Sequence, residues 1–206
     1  MLKIWGRANS LNVQKAMWAV GELGIAHERI DAGGPFGGLD TEEFGERNPN
    51  RRVPVIDDDG LIVWESMAIN LYLADRYGAP PIWPATPRER AHVYQWSIWS
   101  QTEVDRPDVV LGRLSKNPER VATARRQQID ALAILDAALA TRPYLLGDVF
   151  SLADLNVAAT LSEPHERGTI ANDASLDPLA HGLDRLGGWL ARCTSRASWR
   201  KVAAFE

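Results

Sequence analysis

The most informative segment of the chain reads Asn48-Pro49-Asn50-Arg51-Arg52-Val53-Pro54-Val55-Ile56-Asp57-Asp58-Asp59-Gly60-Leu61-Ile62-Val63-Trp64-Glu65-Ser66. Two short apolar runs, residues 53–56 and 61–64, flank an acidic turn that ends in glycine, which predicts a β-hairpin. Pro54 has no N–H to give to a strand ladder, so we expect the neighbouring backbone groups of Val53 to remain free. A ligand with an extended backbone, such as a peptide, would pair with these groups.

A second binding feature follows where the hairpin ends at Trp64 and a helical pattern begins. The hydroxyl of Ser66 and the free N–H groups of the first helical turn would meet at one point, which favours a carboxylate. Glu65 beside that point would repel a second carboxylate and attract an ammonium group. The two residues therefore suit a group that carries both charges, such as the head of an amino acid.

A strand edge for a peptide beside a pocket for an amino-acid head describes a site for glutathione. Val53-Pro54, followed at this spacing by Glu65-Ser66, resembles the glutathione-site signature of the soluble glutathione S-transferase family. The resemblance implies a thioredoxin-like first domain, a cis proline and glutathione contacts from these four residues. A hairpin and a capped helix without a ligand are the alternative that the local pattern leaves open.

Length and composition narrow the possible partners. The 206 residues are 45% hydrophobic and 24% charged, which leaves room for one large or two small globular domains. A net charge of −4 with mixed signs provides no basic surface for nucleic acid and no polybasic patch for a membrane. No apolar run approaches the roughly 20 residues of a membrane-spanning helix, and the first five residues predict a strand instead of a signal peptide. We therefore expect a cytoplasmic protein whose single cysteine forms no internal disulfide.

The first 78 residues predict the element order βαβαββα. The predicted strands are 2–5, 26–31, 53–56 and 61–64, and the predicted helices are 10–23, 40–47 and one that starts after residue 65. This order is thioredoxin-like, with a mixed sheet whose last two strands run antiparallel. The proline-rich residues 79–87 predict a semi-rigid linker.

The remaining residues, 88–206, predict an all-helical domain. The predicted helices are 89–115 with a bend or break at Pro107, 119–140, one from Ser151 to Pro164, and one that opens at 177–178. Ser151-Leu152-Ala153-Asp154 is close to a capping box with Asp in place of Glu. This two-domain plan and the aspartate cap are further traits of the transferase family. The resemblance thus covers the whole chain, which is identified as a bacterial Ser/Asn-type member.

The resemblance places the sulfur of glutathione over the loop after the first strand, at the start of the first helix. A thiol with a pKa of about 8.5 is mostly protonated at neutral pH, so a hydrogen-bond donor and a positive helix end are needed to form the thiolate. Ser10 stands roughly where the family has its catalytic serine, and Asn12 resembles the asparagine of some bacterial members. We place Ser10 first and Asn12 second, and helix capping is the alternative for both.

Other residues acquire roles through the same resemblance. Arg52 is expected to hold the glycine carboxylate of glutathione, whereas family members usually have glycine at position 51; a solvated surface arginine is the alternative. Asp105 is expected to reach the amino group of glutathione across a homodimer. Trp96 and Trp99 are expected to line the pocket of an electrophilic second substrate, and core packing or a dimer contact is the alternative for both rings.

The histidines, the single cysteine and a glycine-rich loop are further candidates for functional roles. The four histidines show no zinc spacing, so we expect no metal. Cys193 lies on an apolar stripe and is expected to be a buried, inert thiol. The glycine-rich residues 33–38 match neither a Rossmann fingerprint nor a phosphate-binding loop, and we expect a mobile loop that borders the site.

The resulting hypothesis is a transferase that conjugates the thiolate of glutathione to a small electrophile. One alternative is glutathione-dependent reduction of disulfides or peroxides, which the asparagine-bearing bacterial relatives suggest. Another is a non-catalytic binding module that keeps the fold as a scaffold. The presence of Glu65-Ser66 together with Val53-Pro54 argues against a pure scaffold, because packing alone does not require a buried glutamate at the start of a helix.

Overall fold

The computed structural model describes residues 1–104, 115–162 and 181–204. The chain forms two compact units. Unit 1 consists of Met1–Ala79 together with the residues from Ala197 onward, and unit 2 consists of Pro80–Arg196.

Unit 1 contains a four-stranded mixed sheet. Its elements are β1 (Leu2–Trp5), α1 (Leu11–Leu23), β2 (His27–Ile30), α2 (Glu42–Arg47), β3 (Val55–Asp58), β4 (Leu61–Trp64) and α3 (Ser66–Tyr77). The strand order is β2-β1-β3-β4, with β1 parallel to β2 and antiparallel to β3, and with β3 antiparallel to β4. The predicted βαβαββα order is therefore confirmed. The strand predicted at 53–56 begins later, at Val55, because Pro54 has no N–H for the ladder.

The sheet of unit 1 has a cluster of buried apolar residues on each face. One face packs against α1 and α3 through a cluster of buried apolar residues: Leu2, Ile4, Ala16, Val20, Ile56, Ile69 and Leu73. On the other face Phe44 of α2 packs with Ala32 and Val55. The alternation of side chains along a strand sends Val55 and Ile56 to opposite faces, so β3 lies at the centre of the core.

The regular elements in the described part of unit 2 are helices. They are α4 (Pro87–Trp99), a π-helical turn (Ser100–Val104), α5 (Pro118–Ala138), α6 (Leu152–Ser162) and α7 (Asp184–Thr194). The predicted breaks at Pro107 and Pro164, and the helix start at 177–178, lie outside the described residues. None of the helices in residues 1–104, 115–162 and 181–204 combines the length and the apolar character that crossing a membrane requires.

The predicted aspartate cap lies at the centre of unit 2. Oδ2 of Asp154 accepts hydrogen bonds from the backbone N–H and the hydroxyl of Ser151, at 2.9 and 2.8 Å. Oδ1 accepts from the N–H of Leu145 at 2.8 Å and from the indole of Trp189 at 2.9 Å. Burial raises the pKa of the Asp154 carboxyl, and these donors oppose that effect. One side chain thus joins the start of α6 to a preceding loop and to α7.

A last helix, α8 (Ala197–Ala203), belongs to unit 1 and packs on α1. The buried rings of Trp18 and Trp199 lie 4.6 Å apart. Gly21 permits this contact, since a Cβ at that position would lie 3.1 Å from the Cβ of Ser198. The division into domains 1–78 and 88–206 with a linker at 79–87 stays a prediction, and the placement of α8 with the sheet differs from it.

Candidate active site

The strand pairing brings four chain segments to one edge of the sheet of unit 1. Trp5, the last residue of β1, pairs with Ile30 of β2 and with Val55 of β3. Val55 in turn pairs with Trp64, the last residue of β4. The residues just beyond these pairs therefore emerge side by side: Gly6, Asp31, Pro54 and Glu65.

Gly6 lets the loop after β1 pass close to two neighbouring segments. A Cβ at this position would lie 2.4 Å from Cγ2 of Val13 in α1 and 3.2 Å from Cβ of Val53. The N–H of Gly6 donates to the carbonyl of Ile30 at 2.8 Å, and its carbonyl accepts from Arg29 at 2.8 Å. The start of α1 and Val53 are thus held next to each other.

Val53 enters the edge through a cis peptide bond to Pro54, as the resemblance implies. Its backbone N–H and C=O have no hydrogen-bond partner among the residues that the structure describes. The buried side chain of Asn48 fixes the approach, because its amide donates to the carbonyl of Arg52 at 2.8 Å and its oxygen accepts from the N–H of Asn50 at 2.9 Å. The geometry leaves Val53 available to an extended ligand.

Ser66 is the first residue of α3 and is buried. Its hydroxyl donates to Oδ1 of Asn12 at 3.2 Å, which joins the starts of α3 and α1. Two helix N-termini with free N–H groups therefore lie at the same edge, a favourable place for negative charge. Both residues are predicted site residues, but their contact was not predicted from the sequence.

Glu65 departs from expectation, because its side chain is exposed. The expectation of a buried glutamate is wrong, since the residue precedes α3 at the open edge of the sheet. Burial of Glu65 therefore no longer counts against a scaffold role. A different observation replaces it: Glu65 has φ 72° and ψ 117°, a backbone conformation that L side chains rarely adopt. Such strain costs on the order of 1–3 kcal/mol and tends to occur at functional sites.

Ser10 lies at the N-cap of α1, but its buried hydroxyl makes no capping hydrogen bond. Ser10 thus occupies the position that the capping alternative expects, but without the side-chain hydrogen bond of a cap. Asn12 follows in the first turn and is exposed. Its Oδ1 accepts from Ser66, whereas its amide nitrogen donates to no group in the described part of the chain. Both residues remain candidates as donors to a sulfur.

Gln14 is a further residue of the site that the sequence analysis missed. It is 1% exposed, and its amide nitrogen donates to the carbonyl of Ala8 at 3.0 Å, which holds the loop that leads to Ser10. Its Oε1 is buried and has no partner among the described residues. The available signal was a polar side chain one turn after Ser10 and next to the apolar positions of α1.

The two arginines before Val53 have different environments. Arg51 has φ 51°, which agrees with the glycine usual in the family, and its Nη1 donates to the carbonyls of Leu39 and Thr41 at 2.8 and 2.7 Å. It therefore supports the segment before α2. Arg52 is exposed and forms no ion pair within the described residues. Its role as a carboxylate ligand stays a prediction, beside the alternative of a solvated arginine.

The remaining predicted ligands belong to unit 2. Asp105 lies outside the described residues. Trp96 is mostly buried and packs edge-to-face with Trp99 at 5.2 Å between ring centroids. This mutual packing agrees with the core-packing alternative for the two rings. Their role in a pocket for the electrophile stays a prediction.

The remaining predictions from the sequence concern Cys193, the glycine-rich residues 33–38 and a metal site. Cys193 is buried, as predicted. Residues 33–38 form a loop that closes with a hydrogen bond of 2.7 Å from Gly33 N to Gly37 O, and its Gly34 approaches the side chain of Arg7. Within the described ranges, no group of three His, Cys, Asp or Glu side chains is arranged to hold a metal.

The sheet, the edge with its cis proline and the appended helices define a thioredoxin-like protein with a helical extension. Residues 1–75 match the family model of the glutathione S-transferase N-terminal domain, and residues 118–192 match that of the C-terminal domain. Glutathione S-transferase GstB of Escherichia coli K12 is 36% identical over 167 residues, which cover 77% of this chain and 80% of GstB. The chain belongs to the glutathione S-transferase family.

Solved structures agree with this assignment. The theta-class glutathione S-transferase from Xanthomonas axonopodis pv. citri, solved with glutathione bound, has a TM-score of 0.80 and 35% identity, with 98% of this chain and 96% of that chain covered. Glutathione transferase F7 from Populus trichocarpa has a TM-score of 0.84 at 21% identity, with 99% and 98% covered, which shows the fold alone.

Proposed function

We propose that this member of the glutathione S-transferase family binds glutathione at the sheet edge of unit 1 and transfers its thiolate to a small electrophile. The observation that carries the proposal is the 3.2 Å hydrogen bond between Ser66 and Asn12, which unites two helix N-termini beside the free backbone of Val53. In the reaction a carbon–sulfur bond forms and the leaving group departs with its bonding electrons.

Each part of glutathione has a partner at this edge. The backbone of Val53, before Pro54, pairs with the extended tripeptide. Ser66 and the start of α3 hold the carboxylate of the γ-glutamyl group, and exposed Glu65 attracts its ammonium. Arg52 holds the glycine carboxylate. The glutathione-bound relative from Xanthomonas supports glutathione as the ligand.

Activation of the sulfur is assigned to the start of α1. A thiolate there is stabilised by the helix end and by one donor, the hydroxyl of Ser10 or the amide of Asn12. We place Ser10 first because its hydroxyl is not used for capping. This assignment would make the chain a Ser-type or Asn-type member of the family.

The electrophile pocket and the assembly are proposed from the family plan. Trp96 and Trp99 line the electrophile pocket, and Asp105 reaches the amino group of glutathione across a homodimer. Exposed Ile98 and Ile134 supply apolar surface for such a dimer. A cytoplasmic location suits a chain with a single, buried cysteine and a thiol substrate. Sedimentation at two concentrations tests the dimer.

Conjugation is favoured over the two alternatives, because relatives that match most of the chain are named transferases. An assay with a small disulfide checks glutathione-dependent reduction. A glutathione-affinity column checks the non-catalytic binding module, which would bind the column yet turn over neither substrate.

The decisive experiment compares Ser10→Ala with Asn12→Ala. Loss of one donor to the thiolate should raise the pKa of the bound thiol by about 1 to 2 and lower turnover of an aryl halide at neutral pH about 10-fold or more. We expect this from Ser10→Ala and a smaller effect from Asn12→Ala. Calorimetry with glutathione and circular dichroism confirm binding and folding.

The reverse ranking would assign activation to Asn12. If neither substitution changes the pKa of the bound thiol, the activation proposal is wrong. If the unmodified protein binds no glutathione at millimolar concentration, the whole proposal is wrong.

A further inference from the structure

The loop that connects β1 to α1 is held by a cation from a neighbouring strand. Nη1 of Arg29, in the edge strand β2, donates to the carbonyl of Gly6 at 2.8 Å. The same nitrogen also donates to Oδ1 of Asp31, the first residue after β2. Arg29 therefore joins the loop to the end of β2 through one hydrogen-bonding group that carries a positive charge.

The bond from Arg29 completes a pattern within this loop. The carbonyl of Arg7 accepts from the N–H of Ser10 at 3.2 Å, and the carbonyl of Ala8 accepts from the amide of Gln14 at 3.0 Å. Three consecutive carbonyls of the loop are thus engaged in hydrogen bonds. The last two receive their donors from the chain that follows them, whereas the first receives its donor from another strand.

The engaged carbonyls matter because the loop lies where the sulfur of glutathione is proposed to bind. A carbonyl oxygen carries a partial negative charge, so a carbonyl that turned toward the sulfur would disfavour the thiolate. Hydrogen-bonded carbonyls are not free to make that turn, and the N–H groups at the start of α1 remain available to an anion. Because a charge-assisted hydrogen bond is stronger than a neutral one, Arg29 holds its carbonyl more firmly than a neutral donor would.

Asp31 gives the guanidinium a second role. This residue emerges at the same sheet edge as Gly6, and an uncompensated carboxylate there would repel a thiolate. Arg29 offsets that charge, and Asp31 has no other cationic partner among the residues that the structure describes. Both side chains are partly exposed, so solvent screens the pair and we expect an electrostatic effect of moderate size.

We propose that Arg29 is a positioning residue of the transferase site: it fixes the carbonyl of Gly6 and offsets the charge of Asp31, so that the start of α1 can hold the sulfur as an anion. This inference rests on the proposed function, because it concerns the same sulfur site. Arg29 acts through the loop and does not need to touch glutathione. No motif in the sequence marks this arginine, because its role depends on the pairing of β2 with β1.

The test measures the pKa of the thiol of bound glutathione by ultraviolet difference absorption, together with kcat and KM across pH. Arg29→Gln should raise this pKa by about 1, because the carbonyl of Gly6 loses its charged donor and Asp31 is left unpaired. Turnover of an aryl halide at neutral pH should fall by up to about 10-fold, while KM for glutathione changes less than about 2-fold. The deficit in turnover should shrink as the pH rises above the raised pKa.

Asp31→Asn separates this role from that of an ordinary structural ion pair. The asparagine keeps an oxygen that can accept from Arg29 but carries no charge. The pKa of the bound thiol should therefore stay unchanged or fall, whereas Arg29→Gln raises it. An ion pair that only stabilised the fold would give changes in the same direction, because either substitution removes the pair.

Two further variants serve as controls. Arg29→Lys keeps the positive charge and a donor for Gly6, so it should retain more turnover than Arg29→Gln and guards against misfolding of the glutamine variant. Lys3→Gln removes one positive charge from an exposed position of β1 and should leave the pKa of the bound thiol unchanged. Melting temperatures confirm that each variant is folded.

An unchanged pKa in Arg29→Gln, or an equal rise in Arg29→Gln and Asp31→Asn, would overturn the inference. Losses of turnover as large in Arg29→Lys as in Arg29→Gln would also contradict it. In these cases the unmodified protein would still bind and conjugate glutathione, so the proposed function would stand. Absence of glutathione binding in the unmodified protein would instead refute the proposed function, and the role of Arg29 with it.

Discussion

Glu65 illustrates at the scale of one residue how function and stability oppose each other. In the proposed site the carboxylate of Glu65 beside the start of α3 pairs with the ammonium group of glutathione, yet the backbone at φ 72° disfavours any side chain with a Cβ. Under this proposal, the backbone is strained at the position where the ligand needs a charge.

Substitution of Glu65 should separate these two effects. We expect Glu65→Gly to raise the free energy of unfolding by about 1 kcal/mol, because relief of strain exceeds the entropy that glycine adds to the unfolded chain. The same variant should bind glutathione about 10-fold or more weakly, because the ammonium loses its partner. Urea denaturation and calorimetry measure the two quantities.

Glu65→Ala is the matched control. It removes the same carboxylate but keeps the Cβ, so it should lose binding without gaining stability. Equal stabilisation by Ala and Gly would show that the backbone at this position is not strained.

Gln14 supplies a second prediction at this scale. Gln14→Leu keeps the approximate volume but leaves the carbonyl of Ala8 without its donor, so the loop before Ser10 should lose its fixed position. We expect kcat with an aryl halide to fall several-fold while KM for glutathione changes little, and the pKa of the bound thiol to rise. Gln95→Leu, on the exposed face of α4, is the control. An unchanged pKa would leave Gln14 with a purely structural role.

At residue scale, features that depend on the local backbone could be predicted from the sequence, whereas the burial of individual side chains could not. The free backbone of Val53 before Pro54 and the position of Ser66 at the start of α3 were predicted, because a proline and a helix start have backbone consequences that the sequence displays. The burial of Gln14 and the exposure of Glu65 depend on which neighbouring segments cover each side chain, and no local pattern encodes that.

At the scale of elements, α3 is joined to β3 by a carboxylate and two phenols. The hydroxyl of Tyr72 donates to Oδ2 of Asp58 at 2.7 Å, and that of Tyr77 donates to the same carboxylate at 2.7 and 2.8 Å. The hydrogen bond to Asp58 raises the pKa of Tyr72 to about 12 and also raises that of Tyr77. The last residue of β3 thus fixes the second half of α3.

This cluster predicts a loss of stability at alkaline pH. An unfolded chain releases the proton of Tyr72 near its ordinary pKa of 10.0, whereas the folded chain keeps it to about 12. The stabilisation is therefore complete below pH 10 and is lost as the pH rises toward 12. Tyr72→Phe should be less stable at neutral pH but should lose less additional stability over this interval.

Urea denaturation at neutral pH and near pH 11 measures the difference. Tyr94→Phe is the control, because the hydroxyl of Tyr94 has no hydrogen bond within the described residues. An identical alkaline loss in the original chain and in Tyr72→Phe would contradict the assignment to this phenol.

The elements themselves were largely predictable from sequence. β1 and β4 have the predicted bounds, and α1 ends at Leu23 with Gly24 in the left-handed conformation. The hydrogen bonds from Tyr72 and Tyr77 to Asp58 were not predicted, because they depend on the packing of α3 against β3. The start of β3 at Val55, by contrast, follows from a local cause, the missing N–H of Pro54.

At the scale of the whole molecule, unit 1 is discontinuous. Its sheet and first helices come from residues 1–79, and α8 joins it only after residues 80–196. The contact rests on the buried rings of Trp18 and Trp199 and on Glu22, which accepts from the indole of Trp18 at 3.1 Å and from the hydroxyl of Ser198.

Removal of the Trp199 ring should therefore destabilise unit 1. We expect Trp199→Ala to lower the free energy of unfolding by about 3–5 kcal/mol, through lost burial and the cavity left behind. Glutathione should restore part of the melting temperature if it binds unit 1. Arg200→Ala, on the exposed face of α8, should change stability by less than about 0.5 kcal/mol. Equal melting temperatures for the two variants would contradict this account of α8.

The discontinuity has a consequence for biosynthesis. A ribosome that adds about 5–20 residues per second needs roughly 6–23 s for the 117 residues from 80 to 196. During that interval the nascent unit 1 carries an uncovered indole, Trp18, on the face of α1 against which α8 later packs. Pausing or premature release of the nascent chain during this interval would leave an aggregation-prone intermediate with an exposed indole. We therefore expect unit 1 to need chaperones mainly while residues 80–196 are being synthesised.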